Sequence, residues 1–266
     1  MRERFRDPLT VSDIAEKARL GRFPFSRLFK DETGLSPGRY LTALRIHEAK
    51  RLIGDGPMST AEVGAAVGYR GLDAFTDAFT AGTGLPPGHF RRLCRGQGQE
   101  PPAPDPGPGL PRGALAGTVR LPAGHGNARV YLGAFATPVV QYPAAAAAVV
   151  DVPADRPCCY TLQNVPAGQW HLLAVAVAAA GAHDPQAGWT PLVGDRATTV
   201  TVTADTVTSA ALRLRPARPA DPPVLLALPA LTPPQSVEPQ PGCAAAGAPP
   251  PAGRLRAVPA APPSGA

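Results

Sequence analysis

Apolar and polar positions alternate with two different periods along this chain. Up to about residue 93 the period is helical. Val11, Ile14, Ala15 and Ala18 recur at i, i+3, i+4 and i+7, with Thr10 or Ser12 placed to cap and Asp13 and Glu16 in the first turn. Phe25, Leu28 and Phe29 form a second stripe that stops at Thr33-Gly34, and Pro24 falls in its first turn, where a missing N–H costs little. Gly38 to Ile53 predicts a longer helix with Tyr40, Leu41, Leu44, Ala49, Leu52 and Ile53 on one face. Ser59 or Thr60 caps the next helix, which carries Val63, Ala66 and Val67. Phe75, Ala78 and Phe79 line a fifth helix, and Pro86 to Leu93 closes the series. Two short helices joined by a tight glycine turn, occurring twice, predict a double helix-turn-helix.

From Gly113 the period falls to two. Leu115, Gly117, Val119 and Leu121 alternate with Ala116, Thr118 and Arg120, and Val130, Leu132 and Ala134 continue the alternation. Cys158, Tyr160 and Leu162, the apolar run Trp170 to Val177, Val200 and Val202, and Ala210, Leu212 and Leu214 follow, with turn residues between them. Six or seven short strands of this kind predict a small β-sandwich. The fold class expected is therefore multidomain: an all-α double helix-turn-helix domain over 1–96, a Pro/Gly linker over 97–111, an all-β sandwich over 112–217, and a mostly disordered Pro/Ala-rich tail over 218–266. Within that tail Val224 to Leu231 is the one apolar stretch, readable either as a strand that packs or as a sticky segment of the tail.

The helical region repeats itself at an offset of fifty. GRFPFSRLFKDETGLSPGRY from Gly21 and GLDAFTDAFTAGTGLPPGHF from Gly71 agree at 8 of 20 positions, among them Phe25/Phe75, Phe29/Phe79, Thr33/Thr83, Gly34/Gly84 and Pro37/Pro87. Two copies are too few for a solenoid. They suggest one unit used twice on a target that repeats.

Charge narrows the target. Residues 1–96 hold 16 Lys and Arg against 11 Asp and Glu, so this part carries +5 of the chain's net +6. A small basic domain points to a polyanion, nucleic acid before membrane. The four cysteines show no ligand spacing, and Cys158-Cys159 point to opposite faces of a strand, so neither a zinc site nor a redox pair is expected. The start MRERFRDPLTVSD has no apolar core segment, so no signal peptide is expected, and no apolar run is long enough to span a bilayer. A reduced, cytoplasmic protein follows. His47, His89, His125, His171 and His183 are scattered, and no phosphate-binding glycine loop or nucleophile-base pattern occurs, so neither an enzyme nor a cofactor is expected.

The motifs DIAEKARL, FSRLFKDETGLSPGRYL, LRIHEAKRLI, STAEVGAAVGY and FTDAFTAGTGLPPGHFRR, in that order and spacing, resemble the DNA-binding domain of the AraC/XylS family of bacterial transcription regulators. The resemblance covers about Leu9 to Leu93. It implies seven helices, two helix-turn-helix units joined by one long helix, double-stranded DNA as partner, and contact with RNA polymerase. It puts base contacts at Arg22, Phe23, Ser26 and Arg27. Their chemistry agrees: arginine grips guanine O6 and N7, serine adapts, and an aromatic meets a thymine methyl. Lys30, Arg70, Arg91 and Arg92 are expected on phosphates. The matching second-unit positions are Leu72, Asp73, Thr76 and Asp77. Two carboxylates there depart from the family's usual arginine, lysine or glutamine, so the first unit is expected to do most of the reading. An aspartate accepts from cytosine N4 but repels phosphate.

YTLQNVPAGQWHLLAVA followed by TVTVTADTVTSAALRL is similar to the carboxypeptidase-regulatory-like, or prealbumin-like, sandwich. That module stands after the DNA-binding part, whereas the family's effector domain usually precedes it. An effector or a protein partner of the sandwich is therefore open. The alternative function is that the sandwich is a ligand- or partner-binding module and the helical domain is degenerate.

Overall fold

The structure, a computed structural model, describes residues 1–99, 101, 109–179, 190–195, 198–228 and 231–238. Among these, six helices come first: α1 Val11–Lys17, α2 Arg22–Thr33, α3 Pro37–Asp55, α4 Thr60–Ala66, α5 Leu72–Thr83 and α6 Pro87–Cys94. The seventh helix that the resemblance implies is not among them; most of residues 2–7 form turns and bends ahead of α1.

Local chemistry explains the helix ends. Thr10, not Ser12, caps α1: its side chain accepts from the Asp13 amide while the Asp13 carboxylate accepts from the Thr10 amide. Ser59, not Thr60, does the same for α4 with Glu62. Each such box is worth about 1 kcal/mol. The two copies also stop identically. Gly34 and Gly84 end α2 and α5 with φ of 76° and 83°, a left-handed cap that glycine adopts without strain. Thr33 and Thr83 then donate to the carbonyls of Phe29 and Phe79 and accept from the amides of Leu35 and Leu85.

α3 is the spine of the helical domain. Ile46, Ala49 and Ile53 are enclosed among Val63, Val67, Phe75, Phe79 and Phe90. An aromatic chain of edge and tilted contacts runs Tyr69–Phe75–Phe79–Phe90, with ring centroids 5.4–5.7 Å apart. The stripe expected on α2 is only half realised: Phe25 is buried, Phe29 is partly buried, and Leu28 is 57% exposed.

The β domain has nine strands among the described residues: β1 Arg112–Arg120, β2 Ala128–Phe135, β3 Ala144–Val152, β4 Cys158–Pro166, β5 Gly168–Ala178, β6 Thr190–Gly194, β7 Thr198–Val202, β8 Val207–Ser209 and β9 Leu212–Pro216. The hydrogen-bonded order is β3-β2-β5-β6-β9-β1-β4, with β7 on β5 and β8 on β1. β9 bridges the two layers, antiparallel to β6 and parallel to β1. The sandwich is thus one sheet bent nearly closed around a core of Leu115, Val119, Leu132, Leu162, Leu172 and Leu192, with further residues packed around them.

The apolar run in β5 buries both faces. Leu172, Ala174 and Ala176 point into that core, while Leu173 and Val175 join Tyr131, Phe135, Val140 and Leu226 on the outer side. Cys159 is disulfide-bonded, against the expectation of a reduced protein, whereas Cys94 and Cys158 form no disulfide. Strand alternation buries Cys158 and leaves Cys159 on the opposite face, partly exposed.

After β9 the chain does not leave the molecule. Residues 218–228 run as an irregular strap between the domains, with Leu225, Leu226 and Ala227 buried. So Val224 and its neighbours pack, as one of the two sequence readings held, although not as a strand. The strap lacks a sheet partner, so α3 supplies donors instead. Tyr40 Oη donates to Pro219 O at 2.9 Å, and Lys50 Nζ to Leu226 O at 2.8 Å and Val224 O at 3.3 Å. His47 Nδ1 lies 3.4 Å from Val224 O. Part of the Lys50 side chain reaches solvent, but its ammonium is enclosed, and burial pushes its pKa down to about 8. The Ala227 amide donates to Thr83 O and the Tyr142 amide to Gly82 O. At Gly84 any Cβ would lie 2.7 Å from the Tyr142 ring. The part of the expected disordered tail beyond residue 238 lies outside the described residues.

Candidate nucleic-acid interface

A helix-turn-helix reads DNA with the exposed N-terminal part of its second helix. In the first unit that part of α2 is free. Arg22, Phe23 and Arg27 are exposed, and Phe23 is 81% exposed, so it does not pack on α1. Ser26 is partly buried, and its hydroxyl donates back to Arg22 O at 2.8 Å, so it must rotate to meet a base. Lys30 is exposed one turn further along. The Gly21 N-cap makes no side-chain bond, which leaves the first amides of α2 open to an anion.

The second unit repeats this exposure with other chemistry. Leu72, Asp73 and Asp77 are exposed and Thr76 is partly buried, matching Arg22, Phe23, Arg27 and Ser26 one for one. Asp73 and Asp77 replace a cationic surface with an anionic one. Asp73 also sits in the first turn of α5, where it complements the positive end of the helix dipole.

The basic residues around the units divide into two groups. Arg70 and Arg92 are exposed. Arg91 is not available as a phosphate clamp: its guanidinium donates to the Met58 carbonyl, it is partly buried, and its Nε is enclosed without a partner. α6 presents Phe90 and Leu93 to the core, which carries Arg91 inward beside them. Part of the basic character of α3 is likewise spent within the molecule, although Arg39 and Arg51 stay exposed. Arg45 donates to Phe5 O at 2.8 Å and Asp7 O at 2.9 Å, tying down the N-terminal segment, and Arg51 pairs with Glu48 at 2.6 Å. Nothing in residue type separates an arginine that holds a carbonyl from one that holds a phosphate, so the sequence reading missed this division.

The β domain packs away from this face. Its contacts with the reading helices fall at their C-terminal ends, Pro138 against Gly34 and Tyr142 against Gly82 and Gly84, and Val139 joins the helical core. Twelve-residue helices put roughly 18 Å between those ends and the N-terminal turns. Among the described residues no helix is long and apolar enough to cross a membrane, and no group of three His, Cys, Asp or Glu is placed to hold a metal ion.

Two helix-turn-helix units on one long spine define a class. Residues 14–93 match a family model described as a helix-turn-helix domain, and they form a domain of the AraC type. The uncharacterized HTH-type transcriptional regulator YobQ of Bacillus subtilis is 37% identical over 83 residues, which is 31% of this chain and 34% of that protein. A putative AraC-like transcription regulator of Streptomyces lividans is 37% identical over 90 residues, 33% of this chain and 30% of that one. The chain thus spans about a third of the length of these curated relatives. Among solved structures, the DNA-binding domain of AdpA in complex with a target DNA is 30% identical, covers 36% of this chain and 90% of that one, and has a TM-score of 0.35.

Proposed function

We propose that this chain is a sequence-specific DNA-binding transcription regulator whose first unit does most of the base reading. The observation that carries it is the pair of units with exposed second-helix faces, of which only the first is cationic. Regulators among the relatives in sequence support the reading. Arg22, Phe23, Ser26 and Arg27 read bases, and Lys30, Arg70 and Arg92 hold phosphates. Leu72, Asp73, Thr76 and Asp77 dock in the next major groove, roughly 34 Å on, and Asp77 takes a cytosine N4 or reads nothing. The protein is not an enzyme, acts in the cytoplasm where the DNA is, and acts on promoters through RNA polymerase. Boundaries near 96, 112 and 217 divide the helical domain, linker and β domain, and the strap belongs with the folded part.

Selection of DNA from a random pool by the full chain, at fixed salt, tests this. A single enriched motif with one strong half is the expected result. Binding that enriches no motif at low salt overturns the proposal and favours the β domain as the working part.

A further inference from the structure

A recess of about 560 Å³ lies where the domains meet, a size and a position typical of small-molecule sites. It is walled by the last turn of α2, the segment Pro138–Val140 after β2, the outer face of β5 and β6, Arg215 of β9, and the strap. Leu173, Val193 and Val224 line it and are only partly covered by the protein's own packing, so apolar surface faces the open space.

The charged groups around it do not balance. Arg215 is already committed: it forks onto Asp221 at 2.7 and 2.6 Å, and its Nε lies 3.4 Å from Asp195. Partial burial works against the Asp221 carboxylate, but the bonds from Arg215 and the Arg218 amide outweigh it and hold its carboxyl below the usual range. Arg215 and Asp221 therefore cancel. Among the described residues that line the recess, Asp31, Glu32 and Asp195 remain against the single guanidinium of Arg218. Asp31 and Glu32 also stand at the C-terminal end of α2, where the helix dipole adds negative potential.

An apolar floor under a net negative rim complements one kind of ligand. We propose that this recess binds a small organic cation, a protonated amine on an aromatic or branched aliphatic body. The amine meets the carboxylates of the α2 end, and the body covers Leu173, Val193 and Val224. Because Asp31–Gly34 belong to the helix whose first turns carry Arg22 to Arg27, an occupied recess bears on the reading helix. That coupling, unlike the binding itself, rests on the proposed DNA-binding role.

The full chain is titrated at pH 7 by calorimetry with three probes of one shape: 2-phenylethylamine, 2-phenylethanol and 3-phenylpropionate. The amine is expected to bind about tenfold tighter than the alcohol, and the carboxylate weakest. Exchanging Asp31→Asn and Glu32→Gln together alters two exposed side chains and should erase most of the preference for the amine. Val193→Trp, which fills the recess, should abolish binding of all three. Equal binding of amine and alcohol overturns the proposal, as does a preference that survives the double exchange or no saturation by about 10 mM amine. Affinity for the selected DNA is then measured with and without saturating amine. No change there removes the coupling and leaves the site, whereas loss of motif selection in the free protein is a failure of the DNA-binding reading alone.

Discussion

Phe25 and Phe75 hold the same place in two copies of one unit, yet their surroundings differ. Phe75 and Phe79 are completely enclosed, with Gly64 packed closely on the Phe75 ring. Phe25 keeps 8% of its surface, Phe29 is only partly buried, and Leu20, Phe23 and Leu28 stand in solvent nearby. The second unit lies against α3, α6 and the strap. The first is held mainly by α3, by the N-terminal segment and by its own short α1. Charge runs the other way: Arg22, Arg27 and Lys30 against Asp73 and Asp77. The better-packed copy has given up the cationic face, and the looser copy has kept it. If the first unit does the reading proposed for it, anchoring and reading are divided between two copies of one scaffold, and the reader is the one with less packing to restrain it.

The largest test of this division is on stability. Phe75→Ala should cost about 3–5 kcal/mol in urea unfolding, and Phe25→Ala about half of that, because only the first leaves a sealed cavity. Equal costs would erase the packing contrast. On the reading side, Arg27→Ala should weaken binding to the selected DNA by about 1–3 kcal/mol and relax one base pair, while Asp77→Ala should tighten binding to all sequences by less than about 1 kcal/mol. A loss of selectivity at Asp77 would make the second unit a reader after all. Arg92→Ala should lower the slope of affinity against salt by about 1, and Arg91→Ala should leave the slope alone and lower stability instead. A last test concerns the turns. Arg19 has φ of 54° where the second unit has Gly68 at 90°. Arg19→Gly should therefore raise the melting stability by roughly 1 kcal/mol, bringing the first unit closer to its twin.

What the sequence shows well is what is local. Helix phase, the approximate N-caps and the glycine stops follow from residues a few positions apart, so pattern finds them, although it left Thr10 or Ser12 and Ser59 or Thr60 undecided. The strand alternation of Leu115 to Leu121 is of the same kind. The second buried face of β2, with Tyr131 and Phe135, was less visible, because alternation describes a sheet covered on one side only. The strap was least visible. Val224 to Ala227 have no period, and their hydrogen bonds go to Lys50, Thr83 and Val140, far away in the chain. At the interface, exposure separated Phe23 from the core and Arg91 from the exposed Arg70 and Arg92, and residue type could do neither.

The strap also governs the order in which the molecule can be finished. The helices up to Cys94 are made first and are rich in short-range contacts, which form quickly. Yet Leu225 and Ala227, which complete their hydrophobic core, emerge from the ribosome only after every strand of the β domain. Lys50 and Tyr40 must wait for carbonyls not yet synthesised. The helical domain therefore stays provisional during translation and becomes final last, so a chain released early would present an unsealed DNA-binding domain to the cell's proteases.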